Sequence, residues 1–140
     1  MTFDARLLFA LPCLAALACA GVACVPKRDL PPEQIVKLEK LDEVMDVQAT
    51  VADPQFKKIG EASYTDQDWA AFADLSTRID STSKKIPQFT KGPEFDAFAA
   101  KLGEHAAALG AAATAKNVAG ASDALAAMKA TCKACHAKFK

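Results

Sequence analysis

The stretch Thr65–Pro87, TDQDWAAFADLSTRIDSTSKKIP, has the pattern of an amphipathic helix with a marked start and end. Thr65 is followed three residues later by Asp68, and a hydroxyl and a carboxylate at this spacing can satisfy the first free backbone amides of a helix. Pro87 ends the stretch, because proline cannot continue the backbone hydrogen-bond ladder. Its apolar residues recur at helical spacing and form one stripe: Trp69, Phe72, Leu75, Ile79 and Ile86.

Three further segments carry a stripe of the same kind. The first helix is predicted to begin at Pro31-Pro32-Glu33 and to end at Asp53-Pro54. The third begins at Lys91-Gly92-Pro93-Glu94 and fades near Asn117, and the last follows from about Val118 or Ser122. The stripes of these three helices are Ile35, Leu38, Leu41, Met45, Ala49 and Ala52; Phe95, Phe98, Leu102, Ala106 and Leu109; and Leu125, Met128, Cys132, Cys135, His136 and Phe139.

Length and composition fit one helical domain. The chain has 140 residues, 51% of them hydrophobic, and alanine dominates a second half that is poor in β-formers. We therefore predict an all-α, antiparallel four-helix bundle with up-down-up-down topology. The 17 basic and 17 acidic residues give a formal net charge of zero, with no sign of a nucleic-acid footprint.

The N-terminal residues 1–23 have the pattern of an export signal. Arg6 is followed by an apolar run from Leu7 to Ala20, which is short for a membrane span. Residues 24–32 form a charged, proline-containing tether, and the helical domain occupies residues 33–140. The sequence thus predicts a periplasmic protein.

Processing of this signal has two readings. The tripeptide Ala18-Cys19-Ala20 fits cleavage before Gly21, which would release a soluble protein. Cys24, or alternatively Cys19, loosely resembles the acylated cysteine of a bacterial lipoprotein signal, which would anchor the protein to a membrane through lipid. Both readings place the domain outside the cytoplasm.

The segment Cys132-Lys133-Ala134-Cys135-His136 brings two thiols and an imidazole to one surface of the last helix. Cys135 and His136 lie three and four residues after Cys132, and side chains at these spacings are neighbours on a helix. The same surface is apolar, because it continues the stripe of Leu125 and Met128. It suits a large, flat, apolar ligand held by two sulfurs, with the imidazole below its metal.

Haem attachment accounts for all three side chains. Two thioether bonds would hold the vinyl groups, and the adjacent histidine would bind iron. A zinc site needs more donors, of which only His105 remains, and a redox-active CxxC normally begins a helix in a βαβ unit. The last alternative is that the CxxCH motif occurs by chance. The motif therefore indicates one covalently attached haem c.

The ending CKACHAKFK, on the last of four helices, resembles the class II c-type cytochromes, the cytochrome c′ group. This resemblance implies a haem within the bundle, bonded to Cys132 and Cys135, with His136 as the proximal iron ligand. It also implies that the other axial position of iron faces the first helix. Side chains expected to pack against the ring are Phe139, Phe95, Phe98, Trp69 and Met128.

The occupant of that sixth position separates two functions. Met45, central in the first stripe, would supply a thioether ligand and favour electron transfer. In another register Leu41 or Asp42 faces the haem, and with Leu41 there iron would stay five-coordinate and bind nitric oxide or carbon monoxide. His105 is a third candidate ligand. Met45 could also be ordinary core filler.

We expect an exported one-electron carrier that has redox proteins as partners and no enzymatic activity. The alternative is a protein of the same fold that binds a diatomic gas, and a metal-free structural lipoprotein would require the motif to be accidental. A second apolar strip on the first helix, Val44, Val47 and Val51, forms either a homodimer face or ordinary core, and we prefer the dimer.

Overall fold

The computed structural model describes residues 29–140, which form helices and connecting turns and contain no strand. The predicted export signal and most of the tether lie outside this part of the chain. No helix among the described residues is long and apolar enough to cross a membrane. The helices are α1 (Pro32–Ile35), α2 (Leu41–Phe56), α3 (Asp66–Lys85), α4 (Pro93–Thr114) and α5 (Val118–Phe139), with a 3₁₀ turn at Ile86–Phe89.

The four long helices α2 to α5 form the predicted up-down-up-down bundle, so the fold prediction is confirmed. Helix α4 lies between α3 and α5 and packs closely along both. Helix α2 packs mainly on α3 and contacts α5 at only a few points. The bundle is therefore tightly closed on one side and looser between α2 and α5.

The start of α3 shows the predicted cap. The Thr65 backbone amide donates to Asp68 Oδ2 at 2.9 Å, and the Asp68 amide donates to Thr65 Oγ1 at 3.2 Å. Beside this cap, Tyr64, Trp69 and Phe72 meet edge to face with ring centroids 4.9–5.7 Å apart. These contacts fix the end of the bundle at which α3 begins.

The first predicted helix differs from the structure at both ends. Residues 36–40 interrupt it, with Lys40 in an extended conformation (φ −127°), so that a single turn, α1, precedes α2. The break lets the wholly buried Ile35 join the bundle core beside α3, while Lys85 Nζ donates to the Val36 carbonyl at 2.9 Å. No proline or glycine in residues 36–40 signals this break.

Helix α2 also continues past its predicted end at Asp53-Pro54 as far as Phe56. Pro54 cannot donate to the carbonyl of Thr50, four residues earlier. Both residues are exposed, so water can satisfy that carbonyl and the helix tolerates the loss. The extra turn brings Phe56 to the inner side of the bundle, where it is half-buried.

The second apolar strip of the first helix is core. Val44 and Val47 are completely buried within the chain, and Val51 is half-buried against the core cluster. This strip therefore does not form the exposed homodimer face that we preferred from the sequence. A homodimer through another surface stays a prediction.

Candidate cofactor site

The predicted site residues lie near the end of α5, where the helix is less buried than in its first turns. Leu125 and Met128 are completely buried, whereas Cys132 and Cys135 are half-buried and His136 is exposed. The helix thus keeps one continuous face, but beyond Met128 the other helices cover that face only in part. Both cysteines are free thiols.

A cavity of about 550 Å³ lies where this face leaves the core, in the gap between α2 and α5. Helix α5 supplies Cys132, Cys135 and His136, and α2 supplies Met45 from the opposite side. The walls between them are mainly apolar: Ala49, Ala52, Phe56, Ile79, Ile86, Phe95, Phe98, Ala99 and Leu102. A space of this kind suits a large apolar group held through the two sulfurs.

A second cavity of about 540 Å³ adjoins the first. Both are lined by Met45, Phe95, Cys135 and His136, but the second has more charge. Its other lining residues are Leu41, Asp42, Asp46, Lys91, Phe139 and Lys140. The site therefore has an apolar inner part and a charged outer part, with Met45 and His136 bordering both.

The structure separates the candidates for the sixth position. Met45 is half-buried and lines both cavities, whereas Leu41 and Asp42 line only the outer one. His105 is half-buried on α4 and is absent from the lining of these two cavities. In the described chain Met45 is thus the candidate with access to the whole site.

The predicted aromatic wall is only partly present. Phe95 and Phe98 line the inner cavity, and Phe139 contacts both with ring centroids at 5.3 and 6.2 Å. Trp69 lines neither cavity, because it lies near the start of α3, about 15 Å along the helix from Ile79. The expectation for Trp69 was therefore wrong. Met128 likewise lines neither cavity, because it is completely buried in the core.

Several lining residues were not predicted from the sequence to be part of the site, although Ala49 and Ala52 belong to the predicted stripe of the first helix. Ala49, Ala52 and Phe56 follow Met45 at intervals of four, seven and eleven residues, so the helical period could have placed Phe56 on the same face of α2 as Met45, about three turns further along. Lys129 Nζ lies 5.8 Å from the centroid of the Phe56 ring, a contact that connects α5 to α2 at this cavity. The polar residue Gln48, three residues after Met45, also falls at helical spacing, but its burial in the wall depends on how α2 packs.

Burial sets the character of the two thiols. It raises the pKa of Cys132 to about 11, with further contributions from Cys135 and Asp53, and it also raises the pKa of Cys135. Redox-active CxxC pairs have the opposite property, because they depend on a stabilised thiolate. The site is therefore unlike that of a thiol–disulfide exchange protein. Among residues 29–140, no group of three or more His, Cys, Asp or Glu side chains could hold a metal ion.

Comparison with known proteins adds a decisive observation. The family model of cytochrome c′ matches residues 37–140, which include all four long helices and both cavities. The chain belongs to the cytochrome c′ family. A cytochrome c′ from Pararhodospirillum photometricum is 42% identical over 71 residues, which represent 51% of this chain and 57% of that relative. The match thus spans little more than half the length of the relative. No solved structure matches the chain significantly.

Membership in the cytochrome c′ family implies one covalently attached haem c. The described residues fit this cofactor, since two free thiols and an imidazole border a largely apolar space of about 550 Å³. Cytochromes c′ are generally not enzymes and are typically exported to the periplasm, in agreement with the predicted class and location.

Proposed function

We propose that the protein is a periplasmic one-electron carrier whose haem c is held by Cys132, Cys135 and His136, with Met45 on the opposite side of iron. The observation that carries this proposal is the arrangement of Met45 and His136. They come from different helices and line the same two cavities, so a flat group between them would have a sulfur on one face and an imidazole on the other.

Each thiol has a defined role in holding the cofactor. Each sulfur would bond to one carbon of a vinyl group and the thiol proton would end on the other, so no oxidant would be consumed. Because Cys132 and Cys135 are on consecutive turns of α5, the attached group would be fixed relative to one rigid element. His136 continues the same helix and orients its imidazole toward the same cavities.

When bound, haem c supplies an iron centre that changes its charge by one electron. A thioether opposite a histidine raises the potential of such a centre. The surrounding apolar residues Ala52, Ile79 and Leu102 exclude water, which also disfavours the more highly charged oxidised state. The exposed side of His136 and the outer cavity would let electrons reach a partner protein at the surface.

A second candidate function is the binding of nitric oxide or carbon monoxide. It is favoured by Leu41, which lines the outer cavity together with His136 and could cap the iron without coordinating it. In that arrangement Met45 would be a wall residue. Anchoring through Cys24 or Cys19 is compatible with either function and stays a prediction.

The test is an absorption spectrum of the protein produced in a host that attaches haem c. We expect a low-spin spectrum with the methionine–iron charge-transfer band in the oxidised state, and slow or no reaction of the reduced state with carbon monoxide. A high-spin spectrum that responds readily to carbon monoxide would instead establish the gas-binding function. Protein that contains no covalent haem would refute both.

A further inference from the structure

Gln48 is the one side chain lining the inner cavity that is both polar and buried among the described residues. It is 7% exposed and lies on α2 three residues after Met45, so the two are neighbours on the helix surface. Among the other polar residues of the lining, Asp53 and Lys133 are exposed, and Lys129 and Thr131 are half-buried. Gln48 is thus positioned to form a hydrogen bond with a ligand inside the cavity.

The orientation of the Gln48 amide is set by Thr82 of α3. Gln48 Nε2 donates to Thr82 Oγ1 at 2.9 Å, and Thr82 Oγ1 donates in turn to the Ile79 carbonyl at 3.0 Å. Because the single hydroxyl proton of Thr82 is used in this way, Thr82 can only accept from Gln48. The amide nitrogen is therefore the atom directed at Thr82, which is itself completely buried.

This arrangement leaves hydrogen-bonding capacity unused. Gln48 makes one side-chain hydrogen bond, to Thr82, so its second N–H and its carbonyl oxygen are available to a ligand or to water in the cavity that it lines. A buried amide with free polar groups is costly unless something in the adjoining space binds it. The wall around it is apolar, with Ile79, Ile86 and Ala52 nearby in the same lining. A small polar guest that enters the cavity could bind these groups in place of water.

We propose that Gln48 donates a hydrogen bond to a diatomic ligand that enters the cavity on the side of Met45, and thereby decides which ligands can compete with Met45 for iron. The inference rests on the proposed function insofar as haem c occupies this cavity. A fixed N–H donor favours ligands whose outer atom gains negative charge, such as dioxygen or nitric oxide, and gives carbon monoxide less advantage.

The test uses holoprotein carrying Met45→Ala, so that the sixth position is open whether or not Met45 coordinates iron. In this background Gln48→Leu should move the C–O stretch of the carbon monoxide complex to higher frequency. It should also speed nitric oxide dissociation roughly three- to tenfold, as expected for one lost hydrogen bond. Thr82→Val, which keeps Gln48 but removes its anchor, should broaden the C–O band.

Gln55→Leu is the matched control, because Gln55 lies on the same helix, is half-buried and lines neither cavity. It should leave both measurements unchanged. Haem-loaded Gln48→Leu protein with the original C–O stretch and dissociation rate, or Thr82→Val protein with a C–O band of the original width, would overturn the inference. Absence of covalent haem from the wild-type protein would overturn the proposed function first, so the two failures are distinct.

Discussion

Met45 of α2 and His136 of α5 border the same two adjoining cavities from opposite helices, although the two residues are 91 positions apart in the sequence. The helices that carry them contact each other at only a few points. The space between them is therefore part of the fold, and a group that joins them would complete the contact between α2 and α5.

Replacing Met45 tests the axial ligand directly. We expect Met45→Ala holoprotein to lose the methionine–iron charge-transfer band, to become high-spin and to bind carbon monoxide readily, because no other side chain on α2 borders both cavities. The control is Leu41→Ala, which changes only the outer cavity and should keep the band. Retention of the band in Met45→Ala would show that Met45 is not the ligand, whereas absence of the band from the wild-type holoprotein would favour the register in which Leu41, one turn earlier on α2, faces the iron.

The two cysteines should contribute separately to haem attachment. Cys132→Ala and Cys135→Ala proteins should each retain one thioether bond, and the reduced pyridine complex should shift toward that of a haem with one free vinyl group. The double variant should show no haem after denaturing electrophoresis. Lys133→Ala, within the same motif, is the control and should behave as wild type. Covalent haem in the double variant would refute attachment through these residues.

Acid stability should depend on Asp68 at the start of α3. Hydrogen bonds from Lys58 and Thr65 lower its pKa from the ordinary 3.8 to about 2. A carboxylate whose pKa falls on folding stabilises the folded state above pH 3.8, and this contribution disappears as the pH falls through 2. Asp68→Asn should therefore lower the melting temperature at pH 7, and its difference from wild type should shrink between pH 4 and pH 2.

Circular dichroism of thermal unfolding across this pH range measures the effect. Glu104→Gln, an exposed substitution on α4, serves as the control and should follow the wild-type curve at every pH. A difference between Asp68→Asn and wild type that persists unchanged at pH 2 would show that the carboxylate charge is not the cause.

Gly92 should be intolerant of a side chain. Its φ of +110° with ψ of 173° belongs to a region that is essentially restricted to glycine, although no atom would contact an added Cβ. Gly92→Ala should cost about 1–3 kcal/mol of folding free energy through backbone strain alone. Because Lys91 and Phe95 on either side line the outer cavity, haem content should also fall.

Chemical denaturation of the Gly92→Ala holoprotein provides the measurement. Ala97→Ser, an exposed change one turn into the same helix, should alter stability by no more than about 0.5 kcal/mol. A Gly92→Ala protein as stable as wild type would mean that the turn can adopt an ordinary conformation without disturbing α4.

The sequence by itself determined the local features of this protein. The Thr65–Asp68 cap, the apolar stripes of Trp69 to Ile86 and of Phe95 to Leu109, and the shared face of Cys132, Cys135 and His136 all follow from spacings of three or four residues. Such features depend on the period of one helix, so they can be predicted before any packing is known. The four-helix class followed from them.

Only the tertiary structure decided what these helices enclose. Whether Val44 and Val47 are core or surface, whether Trp69 reaches the site, and where Gln48 points all depend on the rotation and axial shift of one helix against another. Those quantities come from side-chain packing between distant segments, as does the break at residues 36–40. The cavity exists because α2 packs mainly on α3 and contacts α5 at only a few points, a relationship that the period of a single helix does not encode.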